Sequence, residues 1–414
     1  MNYNLLERFC KYQSSGLFMN SSYLDLSEDR LINMGAIHTA REIQGQPELW
    51  LKTWEVVDKQ AKSLNEFLDP VLAKTNLEII LVGAGSSAFI GEALQGPIHK
   101  NTGRCTKALP TTDLVSHPEL YIPLNAPILM ISFARSGNSP ESIAAVKWAD
   151  LLSAEIYHLI ITCNAEGILA RDTRRKNSFI FVLPPEADDQ SLAMTGSFSA
   201  MFLAGLLISR LHCLTALKTQ VEDLVKYGRI ILSDHLVQLR QAAAINFKRA
   251  VFLGSGPLQG VARESHLKLQ ELTDGKVICK HDSYLGFRHG PRAVVDQETL
   301  LVFLFSNDPY VRKYELDLVS AIDNGEKGIY RIGIMEKNIE KIKLDLKIVL
   351  SANDSRLDEE FLAICSVLPA QILGFFKSLL YGLKPDNPSA SGAITRVVQG
   401  VQIYPYQKVQ LQSS

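Results

Sequence analysis

The sequence predicts an α/β protein made of two tandem domains, each a parallel β-sheet flanked by helices. An N-terminal helical segment precedes the domains, and a C-terminal active-site tail follows them. Two observations predict this class: continuously apolar runs alternate with helix-like stretches, and the second half of the chain repeats the order of the first. The predicted segments are 1–75 (helical), 76–215 (first domain), 216–383 (second domain) and 384–414 (tail).

Three apolar runs in the first half predict parallel strands: Glu78–Val82, Pro127–Phe133 and Ile156–Thr162. The first two end in Gly/Ser-rich loops that lead into helix-like stretches. Uninterrupted apolar runs of this length are typical of strands buried on both faces of a parallel sheet. Residues 1 to about 75 show helical periodicity instead, with no β-branched run.

The second half repeats these strands about 171 to 173 residues later. Ala250–Gly256 matches Ile80–Gly85, Leu300–Phe305 matches Ile128–Phe133, and Ile329–Met335 matches Ile156–Thr162. A period this long indicates a duplicated domain rather than a solenoid array.

Two long apolar helices complete the expected pattern. One, over Met194–Leu214, is expected to join the halves together with the polar stretch after it, and the other is expected near Glu359–Tyr381. The tail residues Lys384–Gly392 are rich in small and turn-forming side chains. Such a segment is typical both of a disordered tail and of a loop that closes over a ligand, and the sequence leaves both open.

Composition and charge exclude several classes of protein. The 414 residues carry 43 basic and 44 acidic side chains, so the chain offers no basic face to nucleic acid or to an anionic membrane. The six cysteines are far apart, which fits reduced thiols rather than disulfides or a zinc site. No secretory signal is seen, and no apolar stretch reaches the ~18 residues of a membrane span. We therefore expect a soluble cytoplasmic protein.

The segment Arg135–Pro140 follows a predicted strand, begins a helix and predicts a cradle for one phosphate monoester. Gly137 lets the backbone approach a ligand, Ser136 and Ser139 supply hydroxyl donors, and the leading arginine adds positive charge. The free N–H groups and the dipole of a helix start favour an anion at such a place. The alternative is an ordinary capped turn, with Asn138 or Ser139 as the cap.

Two features favour the ligand site. Ser86 and Ser87 end the neighbouring strand, so a second hydroxyl-rich loop is expected to open toward the same crevice. The matching place in the second half, Ser306–Pro309, lacks the Ser-Gly pair, although a purely structural turn would have kept its chemistry in both copies. Neither loop continues into G-K-[ST], which argues against hydrolysis of nucleoside triphosphates.

These motifs are similar to those of the sugar isomerase (SIS) family, whose five-stranded parallel sheets bind phosphosugars. Within it, the double-domain pattern resembles the tagatose-6-phosphate ketose/aldose isomerases, also described as galactosamine-6-phosphate deaminases (AgaS-type). The matching segments span nearly the whole chain: Thr39–Ile43, Gln46–Trp50, Gly83–Ser87, Arg135–Ser142, Met194–Phe198, Arg263–Glu271, Arg288–Pro291 and Asp386–Arg396.

The resemblance implies the site residues. Glu271 matches the carboxylate that moves a proton between C1 and C2, and His289 matches the histidine that opens the sugar ring, often from the partner subunit. Lys268 matches a lysine that helps hold the C-terminal loop. The implied substrate-binding residues are Ser86, Ser87, Arg135, Ser136, Gly137, Asn138, Ser139, Thr195 and Lys268.

The residues themselves are compatible with this chemistry. Aldose–ketose isomerisation and deamination of a 2-amino aldose both need a base near C2 and a proton donor to the ring oxygen. Glu264, Lys268 and Glu271 share one face of a helix expected over about Leu258–Leu272. A solvated acid paired with Lys268 is the alternative interpretation of Glu271. His289 lies in a turn-rich stretch between two arginines, where a histidine can titrate near neutrality.

Departures from the related glutamine-dependent synthases set the expected direction of the reaction. The Schiff-base lysine of those enzymes aligns near Ala393, and the nearest cation, Arg396, cannot form an imine. There is no glutaminase domain, so release of ammonia is the more natural direction. We expect Glu264, His266 and His281 to be structural, and the sequence shows no metal-binding pattern.

We therefore expect a phosphosugar isomerase/deaminase that converts an amino-hexose 6-phosphate, D-galactosamine 6-phosphate first, to tagatose 6-phosphate and ammonia. One alternative is a tagatose-6-phosphate ketose/aldose isomerase without deamination. A non-catalytic phosphosugar sensor is an alternative of another class. We expect no cofactor or metal, no nucleic-acid or membrane partner, and a homodimer with a shared active site.

Overall fold

The fold is described from a computed structural model for residues 21–173, 177–351, 356–398 and 400–406. The helical pattern predicted within residues 1–20 lies outside these ranges. The strands are β1 Ser22–Tyr23, β2 Leu26–Ser27, β3 Glu78–Gly83, β4 Cys105–Pro110, β5 Ile128–Ala134, β6 Ile156–Thr162, β7 Ser178–Val182, β8 Arg249–Leu253, β9 Ile278–Asp282, β10 Thr299–Leu304, β11 Tyr330–Met335 and β12 Leu346–Val349. The helices are α1 Glu28–Asn33, α2 Ile37–Gln44, α3 Gln46–Leu72, α4 Ser86–Thr102, α5 Thr111–Ser116, α6 Pro118–Tyr121, α7 Pro140–Leu152, α8 Ile168–Asp172, α9 Gly196–Ile208, α10 Leu214–Asp234, α11 Leu236–Ala243, α12 Pro257–Leu272, α13 Tyr284–Phe287, α14 Pro309–Asp323, α15 Glu359–Cys365 and α16 Leu368–Leu380.

Two five-stranded sheets form the frame and confirm the predicted fold class. The first has the order β4-β3-β5-β6-β7 and the second β9-β8-β10-β11-β12, so each matched strand takes the equivalent place. All pairings in both sheets are parallel. Strand β5 is buried along its whole length, as a continuously apolar strand in the centre of a covered sheet should be.

The turns after β3 and β8 share one unusual backbone shape. Gly85 has φ 56° and ψ −129°, and Gly256 has φ 54° and ψ −128°. A side chain at either position would be strained, because residues with a Cβ rarely adopt positive φ. A Cβ on Gly83 would lie 2.5 Å from backbone of the following helix, and one on Gly254 still closer. The duplication therefore extends to the geometry of the strand–helix turn.

Helices α4 and α12 join the two halves. A Cβ on Gly260 would lie 2.5 Å from the backbone nitrogen of Ala93, so the two helix backbones are in close contact. Further along, Arg263 forms an ion pair with Glu92. The helices run in opposite directions, so the start of α4 lies beside the end of α12. Residues from both halves meet there.

Three elements differ from the sequence-based expectation. Residues 22–27 form a small antiparallel hairpin, turned by positive φ at Leu24 and Asp25, and two-residue strands leave no periodicity in the sequence. The helix expected over Met194–Leu214 spans only α9. The last predicted helix is two helices, α15 and α16, because Pro369 lacks the N–H that would continue α15 and suits a helix start.

The most apolar helices lie in the core. Contrary to the expectation that no apolar stretch reaches the length of a membrane span, Glu359–Leu380 is long and apolar enough to cross a membrane, but its apolar part is fully buried inside the protein. Helix α9 and the stretch that follows it up to Asp234 are together long and apolar enough to span a membrane, although the two are sharply bent against each other. All 13 residues of α9 are buried. Helices that are apolar all round are typical of a large core.

Candidate active site

A cavity of about 160 Å³ opens at the carboxyl ends of β3 and β5. Ligands of open α/β sheets bind at this edge, where strands lead into helix starts. The start of α4, the end of α12 and the C-terminal tail form its other sides. It is lined by Ala84, Gly85, Ser86, Ser87, Phe133, Ala134, Arg135, Ser136, Gly137, Ser139, Ser142, Leu192, Met194, Leu267, Lys268, Glu271, Thr395, Arg396 and Val398.

The cavity brings together most of the residues predicted from sequence. Those that line it are Ser86, Ser87, Arg135, Ser136, Gly137, Ser139, Lys268 and Glu271. The first half supplies both hydroxyl-rich loops, and α12 of the second half supplies the lysine and the acid. Three predicted residues lie outside the lining: Asn138, Thr195 and His289.

The loop after β5 has the geometry of an anion cradle. Gly137 turns it with a φ of 66°. Ser139 precedes α7 in an extended conformation, and within the described structure its side chain makes no capping hydrogen bond. The first amides of α7 are therefore left without a side-chain acceptor, as an anion site at a helix start requires.

Asn138 supports this loop from outside the cavity. Its backbone N–H donates to Ser136 Oγ at 3.2 Å, and its Oδ1 accepts from the N–H of Ile168 at 3.0 Å. Gly167 packs so closely that a Cβ there would lie 2.6 Å from the carbonyl oxygen of Ser136. The loop that contains Gly167 was not predicted from the sequence, where the glycine before a short helix is its signal.

Lys268 organises the opposite side of the cavity. It is fully buried, and its Nζ lies 2.6 Å from Glu271 Oε2, 3.3 Å from Glu264 Oε1 and 3.1 Å from Ser86 Oγ. The side chain of Glu271 is 22% exposed and faces the cavity, whereas that of Glu264 is buried. A solvated surface pair between Lys268 and Glu271 is therefore excluded.

Burial sets the charges of this cluster. It raises the pKa of Glu264 to about 7, against the lowering effect of Lys268. Burial also lowers the pKa of Lys268, but the two carboxylates outweigh it and hold that pKa above its ordinary value. Lys268 is thus charged at neutral pH and fixes the carboxylate of Glu271 at the cavity wall.

Thr195 lies behind the cavity wall. It is fully buried, and its N–H and Oγ1–H donate to Asp189 at 2.8 and 3.2 Å. Asp189 also accepts from the N–H groups of Gly196 and Ser197, so it caps α9. Burial and the charge of Asp189 raise the pKa of the neighbouring Glu42 to about 8. Neither acid was predicted from the sequence, because a cap that lies seven residues before the helix has no local signature.

The C-terminal tail forms the remaining wall, as a ligand-closing loop would. Thr395, Arg396 and Val398 line the cavity. Further back, the carboxylate of Asp386 accepts from the N–H and Oγ1–H of Thr39, each at 2.8 Å. The tail is thus tied to the N-terminal helices. Lys268, for which the resemblance implied a contact with the C-terminal loop, bonds Ser86 and so joins α12 to α4.

His289 is exposed on the turn between α13 and the 3₁₀ helix Pro291–Val294. The cavity of one chain thus contains the phosphate loop and the acid on α12, and this histidine lies elsewhere on the surface. Among the residues that the structure describes, no group of three His, Cys, Asp or Glu side chains could hold a metal ion.

Comparisons with known proteins agree with this architecture. A family model described as the SIS domain matches residues 71–209. The chain is 40% identical over 391 residues to the D-galactosamine-6-phosphate deaminase AgaS of Shewanella sp. (strain ANA-3), which covers 94% of this chain and 97% of that protein.

Two crystal structures are similar over most of the chain. A candidate tagatose-6-phosphate ketose/aldose isomerase from Clostridium novyi NT superposes with a TM-score of 0.90 at 41% identity, covering 94% of this chain and 100% of that one. The tagatose-6-phosphate ketose/aldose isomerase from Escherichia coli gives a TM-score of 0.82 at 38% identity, covering 89% and 97%.

Proposed function

Because the chain belongs to the AgaS family of SIS-domain proteins, we propose that it is a sugar-phosphate deaminase that converts D-galactosamine 6-phosphate to tagatose 6-phosphate and ammonia. The observation that carries the proposal is the meeting of an anion cradle and a lysine-held carboxylate in one cavity. The name of the Shewanella relative supports the amino sugar as substrate, and the names of the two crystal structures support the ketose product.

The phosphate is proposed to bind the loop after β5. The hydroxyls of Ser136 and Ser139 and the uncapped start of α7 supply neutral donors there, and Arg135 adds positive charge from the wall. The sugar carbons then extend toward the start of α4, where Ser86 and Ser87 line the cavity. Asn138 and Thr195 support the loop and the wall without facing the cavity.

Glu271 is proposed as the general base. After the ring opens, it takes the C2 proton of the aldehyde form. The electron pair forms a C1–C2 double bond while the C1 carbonyl oxygen takes a proton and becomes a hydroxyl. Return of a proton to C1 and loss of one from the C2 nitrogen then give a C2 imine. Water adds to that imine, ammonia leaves, and the C2 ketone remains, so the net reaction consumes one water and is a hydrolysis. These are proton transfers and one addition, so the reaction calls for no cofactor.

His289 is proposed to open the ring in the cavity of a partner subunit. This assigns the protein as a homodimer with a shared active site. Support comes from the exposure of His289 on its turn, together with its position outside the cavity of its own chain. We also propose a cytoplasmic location and the domain division 76–215 and 216–383.

The test is an ammonia assay. The purified full chain is incubated with D-galactosamine 6-phosphate, and ammonia and tagatose 6-phosphate are measured together. We expect equal amounts of both from the wild type and from Glu66→Gln, a control in an exposed acid on α3. Ammonia from Glu271→Gln at the wild-type rate would remove Glu271 as the base, and no ammonia from the wild type would reject the deaminase.

A second candidate is the ketose/aldose isomerase, which the names of the two crystal structures favour. The same protein is given tagatose 6-phosphate in the absence of ammonia. Formation of an aldose 6-phosphate, with no ammonia from the amino sugar, would select this function over the deaminase.

A further inference from the structure

Arg135 makes contacts that differ from those of a simple phosphate ligand. Only 7% of the residue is exposed, and both of its Nη atoms donate to main-chain carbonyls. Nη1 lies 3.2 Å from the oxygens of Ser191 and Leu192, and Nη2 lies 2.6 Å from the oxygen of Arg396. An arginine that grips phosphate usually offers it two parallel N–H donors. Here the guanidinium group donates to main-chain carbonyls of the protein instead.

Arg396 is held from both ends. The main-chain carbonyl of Arg396 accepts from Arg135. The guanidinium of Arg396 donates to Asp188 and Asp189. Nε and Nη2 lie 2.9 and 2.6 Å from the carbonyl oxygen of Asp189, and Nη2 lies 2.7 Å from Asp188 Oδ1. We call Arg135 and Arg396, with the loop 188–192 that both contact, the arginine clasp.

A second anchor holds the tail before the clasp. The backbone N–H of Asp386 donates to the oxygen of Gly35, and its carbonyl accepts from the N–H of Leu192, both at 2.9 Å. Next to it, Pro388 and Ser389 are buried. The following residues, 390–395, are exposed. A segment with so little buried surface has low local stability, so its position depends on the polar bonds at its two ends.

We propose that Arg135 is a positioning residue that closes the tail over the cavity by means of the arginine clasp. Arg135 begins the phosphate loop, and the residue it holds, Arg396, is part of the cavity wall together with Thr395 and Val398. Binding of the substrate phosphate and closure of the tail therefore reinforce each other, because both depend on the same loop. The inference rests on the proposed function only for the identity of the ligand.

The clasp is tested first in the free protein, by the rate at which thermolysin cuts the tail. Arg135→Lys keeps the charge but loses the planar fork, and Arg396→Ala keeps the carbonyl but loses the side-chain anchor. We expect both variants to be cut between residues 390 and 400 about tenfold faster than the wild type, the effect of losing a hydrogen bond that holds a locally opening segment. Arg229→Lys, in an exposed ion pair with Glu48, is the matched control and should be cut at the wild-type rate.

Kinetics with D-galactosamine 6-phosphate then separate positioning from direct binding. We expect Arg135→Lys and Arg396→Ala each to raise KM about tenfold, and the double variant to raise it little further, because both changes open the same clasp. A wild-type cutting rate in Arg135→Lys would overturn the proposal, and so would additive effects in the double variant. Ser139→Ala should raise KM while leaving the cutting rate unchanged. If no ammonia is formed at all, the cutting rates still decide on the clasp.

Discussion

The turns after β5 and after β10 each begin with a serine, but the side chains that contact the two turns differ. In both turns a serine hydroxyl accepts from the N–H two residues later, at 3.2 Å for Ser136 and 3.0 Å for Ser306. In the first turn the hydroxyl lines an open cavity. In the second turn, the hydroxyl of Ser306 donates to the carboxylate of Glu359, and the backbone N–H of Ser306 donates to Glu315 at 3.0 Å.

The helix starts differ in the same way. Ser139 leaves the amides of α7 uncapped, whereas the carboxylate of Asp308 accepts from the N–H groups of Tyr310 and Val311 at the start of α14. Acids of the chain itself therefore occupy the donors whose counterparts in the first half we propose to bind a phosphate. Duplication preserved the sheet order and the turns after β3 and β8, whereas a few side chains differ at the turn where we propose that the first half binds an anion. Each chain should hold one phosphosugar.

The largest effect is expected for Glu271, which lies outside both turns. Glu271→Gln removes the proposed base on α12 and leaves the loop after β5 intact. We expect kcat for ammonia release to fall about 10²–10⁴-fold, the usual contribution of a general base, with KM little changed. Stopped ammonia assays over a range of substrate concentrations measure both constants. A large rise in KM with unchanged kcat would place Glu271 in binding instead.

Removing hydroxyls should distinguish the two turns directly. Ser136→Ala or Ser139→Ala should raise KM roughly tenfold or more, because a hydrogen bond to a charged phosphate contributes about 1.5–3 kcal/mol. Ser306→Ala, the matched change in the second turn, should leave KM unchanged. Steady-state kinetics of the three variants test this, and equal effects in both turns would break the comparison.

The shared backbone should respond alike in both halves. Gly85→Ala and Gly256→Ala each place a side chain at a positive φ with nearly the same ψ, which should lower the free energy of unfolding by about 1–3 kcal/mol. Urea unfolding followed by circular dichroism gives the two losses. If only one of the variants were destabilised, the turns would not be equivalent.

The smallest effect concerns pH and the second turn. Burial raises the pKa of Glu315 to about 8 from an ordinary value of 4.5. The folded protein thus binds this proton more tightly than the unfolded chain, and stability falls as pH rises from 4.5 to about 8. Glu315→Gln should remove this loss, so the variant should gain about 1 kcal/mol relative to the wild type for each pH unit between 6 and 8.

Thermal unfolding of both proteins at several pH values measures this gain. Ser139→Ala is the control, because it should follow the pH profile of the wild type. A Glu315→Gln profile parallel to that of the wild type would show that Glu315 is ionised in the folded protein.

Much of the fold was predictable because it repeats. Strands such as β5 and β10 are continuously apolar, and their matches at a constant spacing indicated two parallel sheets before any contact was known. The hairpin at Leu24 and Asp25 was not predictable, because two-residue strands carry no pattern. Nor was the break before Pro369, since the apolar stretch continues on both sides of it.

The site was predictable where one short segment contains the chemistry. The phosphate loop, the serines at the start of α4 and the acid on α12 were found from local sequence or from the family resemblance. Asp189, Glu42 and the tail residue Arg396 were missed as members of the site. Glu42 and Arg396 bond residues distant in the sequence, and Asp189 caps a helix that begins seven residues later. No local pattern marks such partners.

The sequence by itself determined the two parallel sheets and the Gly/Ser loops that line the cavity, because apolar runs and Gly/Ser turns are local. Only the tertiary structure decided what each group contacts. It showed that Glu315 and Glu359 contact the second turn, and that residues of the tail line the cavity beside the first. It also showed that the guanidinium group of Arg135 donates to main-chain carbonyls. Burial and long-range hydrogen bonds set these contacts, and both depend on how the helices pack across the two halves.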